Sequence, residues 1–304
     1  MRTRIVSVLI SAVIAVPGAI VAQEFDDVTV KIHPVAGNVS YIEGRGGNIG
    51  LFTGEDGVFL IDDQYAPMTP SVIAALRALD LGNPRFVLNT HWHGDHTGGN
   101  ENLAKEGALL IAHDQVRARM STDQFVSFLQ SSVPASPPLA LPVVTFNDAV
   151  SLYLNGDEIR GTFAPHAHTD GDVFVHFRKA NVIHAGDLFF RFYPYIDFDS
   201  GGSLAGLIAG VDRILAIADD ETRIIPGHGP LGNRADLVEY RQMLLTTSAR
   251  IRDLVKSGKT VEEIVAAAPN ADYDQKWGWP FITPERYSRM MYELVQREIS
   301  PGRT

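Results

Sequence analysis

The chain contains no cysteine. That excludes a thiolate nucleophile, a sulfur ligand to a metal and any disulfide, and at 304 residues the chain buries enough surface to fold without one. Long apolar runs are also scarce: past residue 22 nothing approaches the roughly 18 consecutive apolar residues that a membrane span requires. Positive charge is in deficit, with 26 Lys and Arg against 36 Asp and Glu, a net charge of −10 and no basic tract. A nucleic acid is therefore a poor partner, and a small-molecule substrate is expected instead.

The first 22 residues read as a separate unit. Arg2 and Arg4 precede an apolar run from Ile5 to Val16, and Pro17-Gly18 then leads to Ala22-Gln23. This is the layout of a secretory signal peptide, too short and wrongly flanked for a stable span. Cleavage near Ala22 sends a periplasmic or secreted protein on its way with no stable membrane insertion, and the loss of two arginines takes the charge to about −12. A retained anchor is the competing reading, because Ile20 is not the small residue expected three places before the cut. The whole chain, with 45% apolar and 20% charged residues, has an ordinary globular composition, and residues 23–304 are taken as one domain whose part from about 233 onward is helical.

Glycine-punctuated β-branched runs over 28–35, 38–43, 48–53 and 58–62 predict an antiparallel meander. Thr69 as a cap and Pro70 at the first turn open a helix to Leu79. Arg85 to Asn89 reads as a buried strand, followed by a helix over 101–106, a strand over 108–112 and a helix over 114–120. Pro134, Pro137, Pro138 and Pro142 then interrupt regular structure as a connector. Strands near 151–154, 159–164, 173–178, 181–185 and 223–225 follow, with a helix over about 204–218. Two packed sheets with helices outside would bury both halves.

The strand ending at Asn89 delivers the chain to His91-Trp92-His93-Gly94-Asp95-His96, three imidazoles and a carboxylate in six residues. His91 and His93 project to one side of an extended chain, and Gly94 permits a sharp turn before Asp95 and His96. Imidazole and carboxylate without thiolate suit zinc first, with iron or manganese also possible. One catalytic zinc needs only three protein ligands, so four candidates so close together hint at two metals. Further candidates stand at predicted strand ends: His168, Asp187 after Ala185-Gly186, and His228 in Pro226-Gly227-His228-Gly229.

His91, His93, Asp95 and His96, followed in order by His168, Asp187 and His228, resemble the ordered motifs of the metallo-β-lactamase-fold superfamily over about residues 28–229. The resemblance implies an αββα sandwich of two mixed sheets flanked by helices. It implies one metal held by His91, His93 and His168 and a second held by Asp95, His96 and His228. Asp187 stands where dinuclear hydrolases such as glyoxalase II carry a bridging aspartate; the best-known zinc lactamases have cysteine or serine in that region, which favours the broader hydrolase group. Two divalent metals about 3.5–4 Å apart can share a hydroxide that attacks a carbonyl or phosphorus centre, with Asp95 orienting it and relaying a proton.

The other histidines carry weaker signals. His33, His113 and His176 are expected in structural roles, His166 beside the ligands or on the surface, and His184 packed near Asp187. Asp170 and Asp172 fit turn chemistry and support of the His168 loop equally, whereas Asp62 and Asp63 fit a capped turn better than support of the first ligand loop. The aromatic run Phe189 to Tyr195 is expected partly at the site mouth, whereas packing is favoured for Trp277, Trp279 and Phe281. Ser200 to Ser203 fits a helix cap able to present backbone N–H groups to an anion. Arg45 to Asn48 is a hairpin turn, either plain or mobile over a substrate. Three functions remain open: an exported zinc hydrolase of amides or esters including β-lactams; a glyoxalase II-like thioester or lactone hydrolase; and a non-catalytic periplasmic metal-binding or redox-accessory protein. A persulfide dioxygenase fits less well, since the second-metal set is complete.

Overall fold

A computed structural model describes Phe25 and residues 27–299; the expected signal segment, residues 1–22, lies outside them. Strands β1 (Lys31–Ala36), β2 (Val39–Glu43), β3 (Ile49–Phe52) and β4 (Val58–Ile61) form the expected antiparallel meander. β5 (Pro84–Leu88) and β6 (Leu109–His113) extend it in parallel. A hairpin of β7 (Gln124–Val126) and β8 (Ser131–Val133) intervenes before β9 (Val144–Phe146) closes the edge of this seven-stranded sheet. The second sheet runs β10 (Ala149–Leu154), β11 (Asp157–Ala164), β12 (Asp172–Phe177), β13 (Val182–His184), β14 (Arg223–Ile225) and β15 (Gly232–Asn233). Only its β13–β14 pair is parallel.

All four residues of β4 are apolar and buried, the composition of a strand covered on both faces. Alternation then sorts the core. Phe59 and Ile61 join Phe52, Leu88 and Ile111 against Ile159, Val173, Val175 and Ile225 of the facing sheet. Val58 and Leu60 point outward onto Val72, Ile73 and Leu76 of α1 (Thr69–Ala78). The outer face of the second sheet, with Phe174, Ile183 and Ile224, is covered by helices from later in the chain. The architecture is thus an αββα sandwich, as the resemblance implied.

The helices that follow α1 are α2 (Gly94–Thr97), α3 (Asn100–Lys105), α4 (Asp114–Met120), α5 (Leu204–Ile217), α6 (Arg234–Lys256), α7 (Val261–Ala267), α8 (Ala271–Trp277) and α9 (Pro284–Ile299). Among the described residues none is long and apolar enough to cross a membrane. Three local expectations need correction. Met68, not Thr69, is the N-cap of α1, and Thr69 lies inside the helix. The stretch around the prolines is not devoid of structure: β9 and the β7–β8 hairpin flank it, and Ala140 is buried, accepting a hydrogen bond from Asn100 Nδ2 at 3.0 Å. Nor is the Arg45–Asn48 turn a free flap. Its Asn48 amide donates to Gly227 O at 2.7 Å, and the Asn48 side chain donates to Pro226 O and Gly229 O.

Candidate metal centre

The C-terminal ends of β5, β11, β13 and β14 meet at one rim, and each delivers a candidate ligand in the loop that follows. After β5 the chain bends at Thr90, His91 and Trp92 and is extended at His93, whose carbonyl then accepts the amides of His96 and Thr97. That single turn, α2, swings Asp95 and His96 to one side of the site while His91 and His93 remain on the other.

Three overlapping groups of three donors result: His91, His93 and His168; Asp95, His96 and His228; and, joining the two, His91, His96 and Asp187. In the first, His93 Nδ1 lies 3.0 Å from His91 Nε2 and 2.9 Å from His168 Nε2. In the second, Asp95 Oδ2 lies 3.2 Å from His228 Nε2 and 3.5 Å from His96 Nε2. Asp187 stands between them. Its Oδ2 is 3.4 Å from His168 Nε2 and 3.8 Å from His91 Nε2, while its Oδ1 is 3.3 Å from His96 Nε2 and 3.6 Å from His228 Nε2. All seven residues expected from sequence therefore converge on one place.

The outward nitrogens explain why the inward ones carry lone pairs. Thr90 Oγ1 donates to Asp62 Oδ2 at 2.7 Å, so it accepts from His91 Nδ1 at 3.1 Å. His93 Nε2 donates to Asp197 Oδ2 at 2.9 Å, His168 Nδ1 to Tyr195 O at 2.8 Å, and His96 Nδ1 to Asp62 Oδ2 at 2.8 Å. Each such bond fixes the tautomer and turns an unprotonated nitrogen into the centre. Facing lone pairs repel unless a cation or proton lies between them. Asp187 Oδ1 is buried and accepts no hydrogen bond, which is costly for a charged oxygen unless a cation satisfies it. The arrangement fits two divalent cations of the zinc type, bound by nitrogen and oxygen alone.

Without cations, protons must balance the carboxylates. Burial favours the neutral form of His96, but Asp187, Asp95 and Asp62 together outweigh it and raise its pKa well above the usual imidazole value. Burial likewise opposes protonation of His228, yet Asp187 and Asp95 lift it to about 9. Burial, reinforced by the charge on His96, keeps His91 neutral, and burial takes His168 down to about 4. A cation entering the second group at pH 7 must therefore expel protons, whereas His91 and His168 of the first are already deprotonated. Zinc binding to the metal-free protein at pH 7 is expected to release at least one proton, falling away above about pH 9 as His228 loses its own. Calorimetry in buffers of different ionisation enthalpy reads this directly, and buffer-independent heats at pH 7 would contradict it.

Sequence reasoning missed or underweighted several supports. Asp197, buried on the loop before α5, orients His93 and had no motif to reveal it. Asp62 was ranked with turn residues, yet it holds both His96 and Thr90 from a backbone with φ of 64°, a conformation that Asp and Asn tolerate better than most. Asp62→Asn and Asp197→Asn are each expected to weaken metal binding about 10- to 100-fold. Chelator competition should place the first defect in the His96 group and the second in the His93 group.

The remaining candidates fall outside the centre. Asp63 accepts the Gly99 amide, Asp172 accepts Thr169 N and Oγ1, and Asp170 pairs with Arg119 at 2.7 Å. His184 donates to Asn48 O at 2.9 Å, tying β13 to the turn beside the site. His166 is exposed against Gly201 O, His33 pairs with Glu43, His113 caps α4, and His176 lies within β12. The amides of Gly201, Gly202 and Ser203 all bond within the protein, so that loop offers no anion nest, although Ser203 does cap α5. Phe189, Phe190 and Tyr193 are core, with Phe190 stacked on His228 at 5.3 Å between ring centres. Trp277 is buried as expected, but Trp279 and Phe281 are only partly so and stand at the mouth.

Residues 42–228 match the family model described as the Metallo-beta-lactamase superfamily. A hydroxyacylglutathione hydrolase of Erythrobacter litoralis is 29% identical over 105 residues, 34% of this chain and 34% of that protein. The alignment thus spans about a third of that curated relative's length. Among solved structures, a motif mutant of the metallo-beta-lactamase from Cronobacter sakazakii superposes with a TM-score of 0.62 at 20% identity, covering 76% of this chain and 100% of that one. The stereoselective inverting sec-alkylsulfatase from Pseudomonas sp. reaches a TM-score of 0.65 at 17% identity, covering 87% of this chain and 50% of that one. At these identities the structural likeness shows a common fold.

Proposed function

The chain belongs to the metallo-beta-lactamase superfamily, and from that premise we propose that it is an exported dinuclear zinc hydrolase of acyl substrates, amides or esters with β-lactams among them. One observation carries the reading: the two oxygens of Asp187 face two separate three-donor groups from a single buried carboxylate. Bound cations would supply Lewis acidity and a water activated near neutral pH.

The chain's own residues do the remaining work. His91, His93 and His168 form one wall, and Asp95, His96 and His228 the other. Asp95 is 22% exposed against 4% for Asp187. Asp95 is therefore the site carboxylate that an incoming water meets, and its carboxylate oxygens orient that water and take its proton. Phe190, flat against the His228 ring, and the buried Tyr195 beside His93 and His168 keep bulk solvent from the back of the site. The proposal of export rests on residues 1–22 and on the conditions under which lactams are met outside the cytoplasm.

A thioester substrate is the second reading. It is favoured by the position of Asp187 and by the partial similarity to hydroxyacylglutathione hydrolases, and it presents the same kind of carbonyl for attack. A chromogenic lactam, an aryl ester, a lactone and a glutathione thioester, offered to the metal-loaded protein lacking residues 1–22, test both. Chelator-sensitive turnover of the lactam or ester is expected. Turnover of the thioester alone would favour the second reading, and silence on all four with two zincs bound would sink the hydrolase proposal.

A further inference from the structure

A strip of aromatic rings leads outward from the metal centre. Tyr195 lies 5.8 Å from the ring of His93, and Phe128 stacks on Tyr195 at 4.9 Å. On the other side Trp279 lies 5.7 Å from the ring of His228 and 5.5 Å from Phe281. The two arms close on each other, Phe281 standing 6.2 Å from Tyr195 and 6.3 Å from Phe128. Phe128, Trp279 and Phe281 are all partly exposed.

Arg286 sits where the arms meet. Its guanidinium carbon is 4.5 Å from the Phe128 ring centre and 5.3 Å from that of Phe281. One N–H donates to Phe281 O at 2.6 Å, out of the five that a guanidinium carries. Of the neighbouring arginines, Arg289 pairs with Glu285 and Glu262 and Arg191 with Asp236, while Arg297 stacks on Phe198 at 4.3 Å. Asp199, on the loop beside Phe128, is taken up by the amide and hydroxyl of Ser127. Among the described residues no carboxylate lies within ion-pair distance of Arg286. Stacking on two rings holds the guanidinium still while leaving donors free for a planar anion. Trp279, Phe281 and Arg286 all lie beyond residue 228, where the family match ends, so the C-terminal part adds this strip to the family scaffold.

We propose that the strip is a substrate subsite for an apolar acyl group bearing a carboxylate at its far end, with the rings of Phe128, Tyr195, Trp279 and Phe281 along the chain and Arg286 on the carboxylate. The assignment rests on the acyl-hydrolase reading for the reacting end of the molecule and extends it to a substrate class: half-esters or half-amides of dicarboxylic acids.

The test pairs mono-4-nitrophenyl esters of straight-chain dicarboxylic acids, in increasing length, with 4-nitrophenyl esters of the monocarboxylic acids of equal length. The metal-loaded protein is expected to prefer the acidic ester at one favoured length. Arg286→Gln should lower kcat/KM on that ester by about 10- to 100-fold, the range for one charge-assisted contact, and leave the neutral ester nearly unchanged. Arg286→Lys, which keeps the charge without the planar fork, should retain part of the preference. Equal losses on both esters would mean that Arg286 only braces Phe281, and no loss on the acidic ester would mean that it binds nothing; either overturns the proposal. A binding arm separates this from failure of the hydrolase reading. Equilibrium dialysis of an ω-phenylalkanoate against its neutral amide needs no turnover. A preference for the acid that vanishes in Arg286→Gln upholds the subsite even if no ester is cleaved, whereas a preference that survives places the carboxylate elsewhere and overturns it.

Discussion

Asp187→Asn is expected to lower kcat/KM by about a thousandfold and to reduce the metal content below two per chain, with the circular dichroism spectrum unchanged. Shape is conserved in this substitution, so the core around residue 187 keeps its packing. Charge and lone pairs are not. The asparagine offers one acceptor and two donors where two acceptors face His91 and His168 on one side and His96 and His228 on the other. Whichever way the amide turns, its NH2 points at a group of inward lone pairs and displaces the cation there. Metal-derived charge stabilisation amounts to several kcal/mol of the barrier, which at about 1.4 kcal/mol per tenfold corresponds to the loss stated. Steady-state kinetics with elemental analysis check it. A variant that keeps two metals and near-normal turnover would remove the bridging role.

A single methyl group on Gly227 is expected to do nearly as much. Its Cβ would overlap Asp187 Oδ1 and come within 2.8 Å of the Gly186 carbonyl. The backbone of Gly227 is not left-handed, so the loss comes from these clashes, which displace the carboxylate and press on the Gly186 backbone. Misplacing a catalytic group by about 1 Å can cost about 100-fold in rate, and overpacking a site of this kind costs about 1–3 kcal/mol of stability. Gly227→Ala should therefore lower kcat/KM about 100-fold and depress the melting temperature modestly. Gly82→Ala, at an exposed position with nothing within 4 Å of the added methyl, is the matched control and should change neither. Equal behaviour of the two variants would show that Gly227 is not shaped by the site.

These variants mark the boundary of what the sequence made legible. The ligands could be read because their spacing is local: two imidazoles two residues apart, a glycine, then a helical turn carrying Asp95 and His96, although the segment expected to be extended bends at Thr90, His91 and Trp92. The later ligands could be read because each follows a short apolar strand in order. Strands and helices were placed to within a few residues for the same reason, since periods of 2 and 3.6 are local. What escaped depends on contacts between distant segments. Asp197 supports His93 across 104 residues and sits in irregular chain with no periodicity to mark it. Gly47 reads as part of a hairpin turn and Gly227 only as a neighbour of His228, yet their missing Cβ atoms make room for His96 and Asp187. Asp62 carries a faint signal, an acidic residue at the end of a buried strand, but locally a capped turn explains it better, and only its bonds to Thr90 and His96 mark it as a support of the centre. The β7–β8 hairpin was lost among neighbouring prolines, since three-residue strands are too short to establish alternation.

The account stands or falls on two cations sharing one carboxylate. Anomalous diffraction at the zinc edge, from crystals of the metal-loaded protein, tests this most directly. Two peaks about 3.5–4 Å apart are predicted, one among His91, His93 and His168 and the other among Asp95, His96 and His228, with Asp187 between them. A single peak at full zinc loading, or two peaks with Asp187 touching only one, would contradict it.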